Sequence, residues 1–202
     1  MFQKLQVPPG YAVVYIDWID PLPKEPLPAY CKRLSVVIDT SKEFGLIGLS
    51  LGGIISIEMA KFLHPKKLII ISSMATRYDM PWTFKLARFL NLYKLVPLTF
   101  LKTPSLVLNW LFGAKTREEK ALLKEIIFDT SVPFLSWAID QILHWQNTQR
   151  PPHLVHLHGT ADKLLLCGAT QANYKIIGGE HLMVYSKAGI ISQIIIETLE
   201  RP

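Results

Sequence analysis

The stretch FGLIGLSLGGIISIEM, Phe44 to Met59, does most to narrow what this chain can fold into. Its apolar run is broken by Gly48, Ser50, Gly52, Gly53 and Glu58, and it falls short of the roughly 20 residues needed to cross a bilayer. It reads instead as a strand over 44–50 that turns at Ser50 into a helix over 51–63, closed by His64 and Pro65. Small residues two places before and two after the serine leave room for a sharp turn.

Four other β-rich runs stand beside it: YAVVYIDW near 11–18, KLIIIS near 67–72, HLVHLHG near 153–159 and NYKIIGG near 173–179. Most are continuously apolar instead of alternating, as strands buried on both faces are, and this points to a parallel sheet. Helical stretches at 27–39, 51–63 and 187–199, the last with Ser186 as a candidate N-cap, lie between or after the strands. The expected fold class is therefore α/β: a mostly parallel sheet of about five strands flanked by helices.

The interval from Met74 to Arg150 breaks the alternation, because it contains no convincing strand. Trp82, Leu86, Phe89 and Tyr93 recur at helical spacing with Lys85, Arg88 and Lys94 opposite, which predicts an amphipathic helix over 82–96. That helix reads as part of a cap with one solvated face, although a membrane-surface helix or a grip on an anionic substrate fits the same pattern. Thr116 and Glu119 form a capping box for REEKALLKEIIF. Phe134, Ala138, Gln141, Ile142 and Trp145 outline another helix, stopped by Pro151 and Pro152. The organisation predicted is a core of 1–73 and 151–202 with an all-helical cap over 74–150.

Half of the 202 residues are hydrophobic and 19% are charged, a balance that suits a packed domain and excludes a disordered chain. The net charge of +6 is spread, with no basic run longer than two, so a nucleic-acid partner has no footprint. Cys31 and Cys167 lack metal-like spacing and read as free thiols, which fits a reducing compartment. The opening MFQKLQVPPG lacks the pattern of a secretory signal, and the expected compartment is the cytoplasm.

A serine hydroxyl becomes a useful nucleophile only when it is presented on a turn, beside a base and backbone amides. GLSLG supplies that setting for Ser50, although Gly-rich turns of this kind also serve packing. The run HLHGTADKLL places Asp162 just after a strand, at the end of the sheet where sites in open α/β folds gather. Asp79, soon after the third run, is the rival acid. In GGEHLMVY, His181 follows another strand end and is the candidate base, with Glu180 beside it read as solvated. Ser50, Asp162 and His181 thus occur in chain order Ser, Asp, His, each just after a predicted strand. His153, His156 and His158 read as strand packing and triad loop more readily than as a metal site, since no Cys or carboxylate stands at ligand spacing. Trp110, Trp137 and Trp145 read as cap packing, and Cys167 as an inert thiol.

With GLSLGG, HGTAD and GGEHL as its marks, the sequence from about Tyr11 to Leu199 resembles the α/β-hydrolase superfamily, and within it small bacterial hydrolases with a helical cap between the sixth and seventh strands. The resemblance implies Ser50 as nucleophile, Asp162 as acid, His181 as base and the Leu51 backbone N–H as one oxyanion donor. It also implies no cofactor and no metal. In the family a strand ending in an HG-like turn precedes the one expected at 11–18, and its loop gives the second oxyanion N–H; this sequence starts at about the end of that loop. Completion by a strand exchanged within a homodimer is one arrangement left open. The function expected is a serine hydrolase acting on a small-molecule ester or thioester of a hydrophobic acyl group; acyl transfer would use the same residues. The alternative is a catalytically impaired relative that keeps the elbow for binding or interaction.

Overall fold

The computed structural model describes residues 1–91 and 105–201. Among them lies one parallel sheet of four strands, β1 (Gly45–Leu49), β2 (Lys67–Ile71), β3 (Leu154–Gly159) and β4 (Tyr174–Ile176), in spatial order β1-β2-β3-β4. Leu46 stands level with Leu68 and Leu154, and Ile47 with Ile69 and Val155. Side chains alternate across a strand. Leu46, Leu68, Ile70 and Leu154 therefore enter one core while Ile47, Leu49, Ile69, Ile71 and Leu157 enter the other. This two-sided burial is why the runs are apolar without alternation.

The first core is closed by α1 (Leu27–Leu34) and α2 (Leu51–Leu63). In α1, Leu27, Tyr30, Cys31 and Leu34 are buried, which is one face of a helix. Helix α2 is wedged in the same layer and is buried from Gly53 through Met59. It ends at His64, whose left-handed backbone turns the chain into β2. On the other face lie α7 (Met183–Ser186) and α8 (Ala188–Glu200), which contribute Met183, Val184, Ile191, Ile194, Ile195 and Leu199. Met1, Phe2, Leu5 and Val7 pack against that same cluster, and the Gln6 amide donates to Ser192 Oγ.

The apolar run 11–18 does not form the fifth strand that its composition predicts. A strand exists only through its ladder, and β1, at the end of the described sheet, has no further partner there. The segment instead runs over the surface with Val14 and Tyr15 exposed, and is held by Trp18, whose ring lies 5.5 Å from that of Phe134, and by Ile16 and Ile19 against the first core. The first predicted helix is also shorter: α1 gives way to a 3-10 turn over Ser35–Val37. Ser186 ends α7 instead of capping α8.

Between β2 and β3 the described residues form α3 (Trp82–Phe89), α4 (Leu106–Phe112), α5 (Arg117–Asp129) and α6 (Val132–His144), with no strand among them. The Thr116–Glu119 capping box opens α5 as its sequence predicts. The aromatic stripe of α3 does not pack as expected: Trp82, Leu86 and Phe89 are exposed, while Phe84 reaches the core and Arg88 Nη1 donates to the Leu143 carbonyl of α6. Tyr93 and Lys94 lie outside the described residues.

Helix α6 is joined to the first core by polar contacts. Trp137 Nε1 donates to the Glu25 carbonyl at 2.7 Å, Trp145 Nε1 to Glu58 Oε1 at 2.8 Å, and the Leu27 amide to Gln141 Oε1 at 3.0 Å. Glu25 is buried; the Arg33 hydrogen bonds outweigh burial and hold its carboxyl below the usual range. No single helix among the described residues is long and apolar enough to cross a membrane.

Candidate active site

All four strands run in one direction, so the loops after β1, β2, β3 and β4 gather at one end of the sheet. Ser50 follows β1 directly, with φ 52° and ψ −119°. An L-residue pays about 1–3 kcal/mol for such a backbone and keeps it only where its surroundings over-determine it. They do so here. The Ser50 amide donates to the Ile71 carbonyl, and Ser73 Oγ donates to the Ser50 carbonyl at 2.7 Å. A methyl on Gly48 would meet the Gly52 carbonyl oxygen at 2.2 Å, which is why the turn tolerates only glycine there.

Asp162 lies three residues past β3 and is buried. Its Oδ1 accepts the Leu164 and Leu165 amides, each at 2.9 Å, and its Oδ2 accepts from His181 Nδ1 at 2.9 Å. Burial alone would raise its carboxyl. Hydrogen bonds from His158 and His181, the attraction of the His181 ring when it is protonated and the Leu165 amide outweigh that and hold it well below the usual carboxylate range. His181 lies after β4, almost fully buried. Its Nε2 is 3.1 Å from Ser50 Oγ.

The three residues singled out in the sequence therefore form one hydrogen-bonded chain. A carboxylate oxygen only accepts, so His181 carries its proton on Nδ1 and turns the Nε2 lone pair toward the serine hydroxyl. That arrangement can draw a proton from Ser50 as its oxygen attacks an electrophile. The Leu51 N–H, at the first position of α2, has no acceptor within the helix and lies beside the nucleophile candidate. The rival acid, Asp79, is used elsewhere: its Oδ2 accepts the Ala75 and Thr76 amides and closes a capping box.

Three further residues shape the site. Ser73 braces the elbow, and its signal in the sequence is a small polar pair after a buried strand. Phe112, at the end of α4, sets its ring edge-on to the His181 imidazole at 5.3 Å, and its carbonyl accepts the Leu182 amide. Glu180 is not solvated, contrary to its sequence reading: it is buried between Lys115, at 2.8 Å, and Lys163. Those lysines outweigh the effect of burial and lower its carboxyl pKa. Its partners come from α5's approach and the acid loop, which no local pattern reveals.

His156 and His158 face each other from one side of β3, Nε2 to Nδ1, at 3.1 Å. Cys31 and Cys167 are both buried and free. Burial pushes the Cys31 thiol up to about 12.

The sequence matches no known family model and no curated protein. The structure is similar to several solved ones. It matches a bromoperoxidase from Bacillus anthracis with TM-score 0.59 at 16% identity, covering 87% of this chain and 75% of that one. An esterase from Exiguobacterium antarcticum matches with TM-score 0.60 at 13% identity over 87% and 74% of the two chains. A thermophilic esterase from Thermogutta terrifontis matches with TM-score 0.60 at 15% identity over 90% and 74%. With its parallel sheet, its helices on both faces and these likenesses, the chain has the α/β-hydrolase fold.

Proposed function

We propose that the protein is a serine hydrolase that cleaves an ester or thioester of a hydrophobic acyl group through an acyl-enzyme. One observation carries the reading: the continuous hydrogen-bond chain from Ser50 Oγ through His181 to Asp162. In the first half-reaction His181 Nε2 takes the Ser50 proton as Oγ attacks the acyl carbonyl, and the Leu51 N–H faces the developing oxyanion. His181 then gives that proton to the leaving alcohol or thiol. Water, deprotonated by His181, attacks the acyl-serine and releases the acid, restoring Ser50. Asp162 holds the imidazole in the Nδ1–H tautomer and stabilises its charged form. These steps use no metal and no organic cofactor.

The names of two similar structures, both esterases, support the reaction class. The apolar wall that Phe112 gives His181 supports a hydrophobic acyl group. In this reading the residues between β2 and β3, within 74–150, act as a cap over the core formed by 1–73 and 151–202. The two buried free thiols support action in the cytoplasm.

A second reading is a relative with impaired turnover, and the position of β1 favours it. The strand and loop that would carry another oxyanion donor have no counterpart beside β1 among the described residues. One missing donor costs about 10²- to 10³-fold in turnover.

The deciding experiment is labelling by a fluorophosphonate probe, followed by hydrolysis of short- and long-chain p-nitrophenyl esters, for wild type and Ser50→Ala. Labelling and turnover by wild type alone support the hydrolase. A folded wild type that labels without turnover supports the second reading, and one that does neither refutes the assignment of Ser50.

A further inference from the structure

The acid loop after β3 rests on a second polar chain that the hydrolase chemistry does not use. His158, wholly buried, brings its Nε2 to 2.6 Å from the Leu165 carbonyl and 3.4 Å from Asp162 Oδ2. A carbonyl only accepts, so His158 Nε2 carries a proton. Its other nitrogen, Nδ1, lies 3.1 Å from His156 Nε2, and His156 is wholly buried too. Burial, with smaller contributions from His158 and Arg150 and against the Ser73 backbone, pushes the His156 imidazole down to about 3, so that ring is neutral. One proton lies between the two rings. With His156 as its donor, His158 is a neutral Nε2–H ring and no second charge is sealed behind Asp162. The remaining nitrogen, His156 Nδ1, makes no hydrogen bond of good geometry among the described residues, although the Ser73 backbone stands near enough to favour a proton on the ring.

The consequence falls on Asp162. Leu165 receives a bond on its carbonyl from His158 while its amide donates to Asp162 Oδ1. The same His158 N–H faces the oxygen that holds His181. The imidazole thus fixes the loop and the carboxylate together. We propose that His158, oriented by His156, is a positioning residue for the Asp162–His181 pair, setting the carboxylate through the Leu165 carbonyl and Asp162 Oδ2. The kinetic consequence rests on the hydrolase reading above, whereas the placement of the proton does not.

The test has two arms. In nitrogen NMR of protein labelled in its histidine rings, His158 is expected as the Nε2–H tautomer, and the downfield His181 Nδ1–H resonance is expected to weaken in His158→Leu and return in His158→Gln. Gln is chosen because its amide N–H reaches the place of Nε2. A His158 protonated on Nδ1 alone, or a His181 resonance untouched in a folded His158→Leu protein, overturns the proposal. In the kinetic arm, His158→Leu is expected to lose about tenfold in kcat on a p-nitrophenyl ester with KM unchanged, and His158→Gln to recover most of it. A Gln variant no better than Leu, or a loss confined to KM, overturns it. Should the Leu variant not fold, His158→Asn, whose amide stops short of Leu165, replaces it against His158→Gln. A wild type without turnover refutes the hydrolase reading and leaves the NMR arm to decide this one.

Discussion

Ser73 Oγ donates to the Ser50 carbonyl at 2.7 Å and so ties the turn after β2 to the turn after β1. The Ser50 carbonyl also accepts the Gly53 amide that starts α2. The serine hydroxyl therefore braces the strained elbow without being its only support. Removing it in Ser73→Ala is expected to cost about 1 kcal/mol of stability. In urea unfolding the midpoint should fall with the slope unchanged. Fluorophosphonate labelling at Ser50 should slow and still go to completion, because Ser73 takes no part in the Ser50–His181 and His181–Asp162 hydrogen bonds themselves.

Glycines of the elbow and of the last helix should respond with opposite signs. A methyl at Gly48 would sit 2.2 Å from the Gly52 carbonyl oxygen and 2.6 Å from the Gly53 nitrogen, both backbone atoms that can move only by opening the turn. Gly48→Ala is expected to destabilise by about 3 kcal/mol and to abolish labelling. Gly189, near the start of α8, meets nothing within 4 Å. There alanine should stabilise by about 0.5 kcal/mol by restricting the unfolded chain. Thermal unfolding of both variants checks the contrast.

The elbow, the four paired runs and the positions of Ser50, Asp162 and His181 just after strands were legible because each depends on residues close together in the chain. A strand that ends in Gly-x-Ser-x-Gly, or in Gly-Thr-Ala-Asp, carries its own geometry. The run 11–18 was not legible, since nothing in YAVVYIDW says whether a neighbouring strand exists for it to pair with. Glu180 was misread for a related reason: Lys115 and Lys163 reach it from 65 and 17 positions away, respectively, and only the fold brings them together. The same holds for α3, whose regular aromatic stripe faces outward while Phe84 meets the first core and Arg88 meets α6.

Acid should weaken the fold in part through Asp162. Its folded carboxyl is held well below the unfolded value near 3.9, by His158, His181 and the Leu165 amide acting against burial. A depressed acid stabilises the fold above its unfolded pKa and loses that contribution as pH falls toward the folded one. Stability measured by urea unfolding should be level in Asp162 terms above pH ~5 and decline below pH ~4. Asp162→Asn should be less stable at neutral pH and decline less steeply on acidification. An equal decline in both proteins would assign the acid sensitivity to other carboxylates, of which Glu180 is the next candidate.

Glu180 holds α4 and α5 against the His181 loop. Its carboxylate meets Lys115 at 2.8 Å and Lys163 on its other oxygen, and its Cβ lies where any side chain at Gly113 would need to go, since a methyl there would stand 2.2 Å away. Gly113 also has φ +71°, so the close of α4 and the seat of Glu180 are one construction. Breaking a buried ion pair costs most when a charge is left stranded. Here the carboxylate is buried, whereas Lys115 is 71% exposed and can return to water. Glu180→Gln, which keeps the volume and removes the charge, is thus expected to cost a modest amount, about 1–2 kcal/mol. The loss should be local. Amide exchange is expected to quicken across α4 and α5 while β1, β2 and β3 stay protected, because Phe112 and its bond to the Leu182 amide then hold α4 without the lysines. On the hydrolase reading the same variant should turn over esters with KM altered more than kcat, since His181, Asp162 and Ser50 keep their contacts. Uniform exchange across the whole chain, or an unaltered rate in α4, would mean that Glu180 does not fasten these helices.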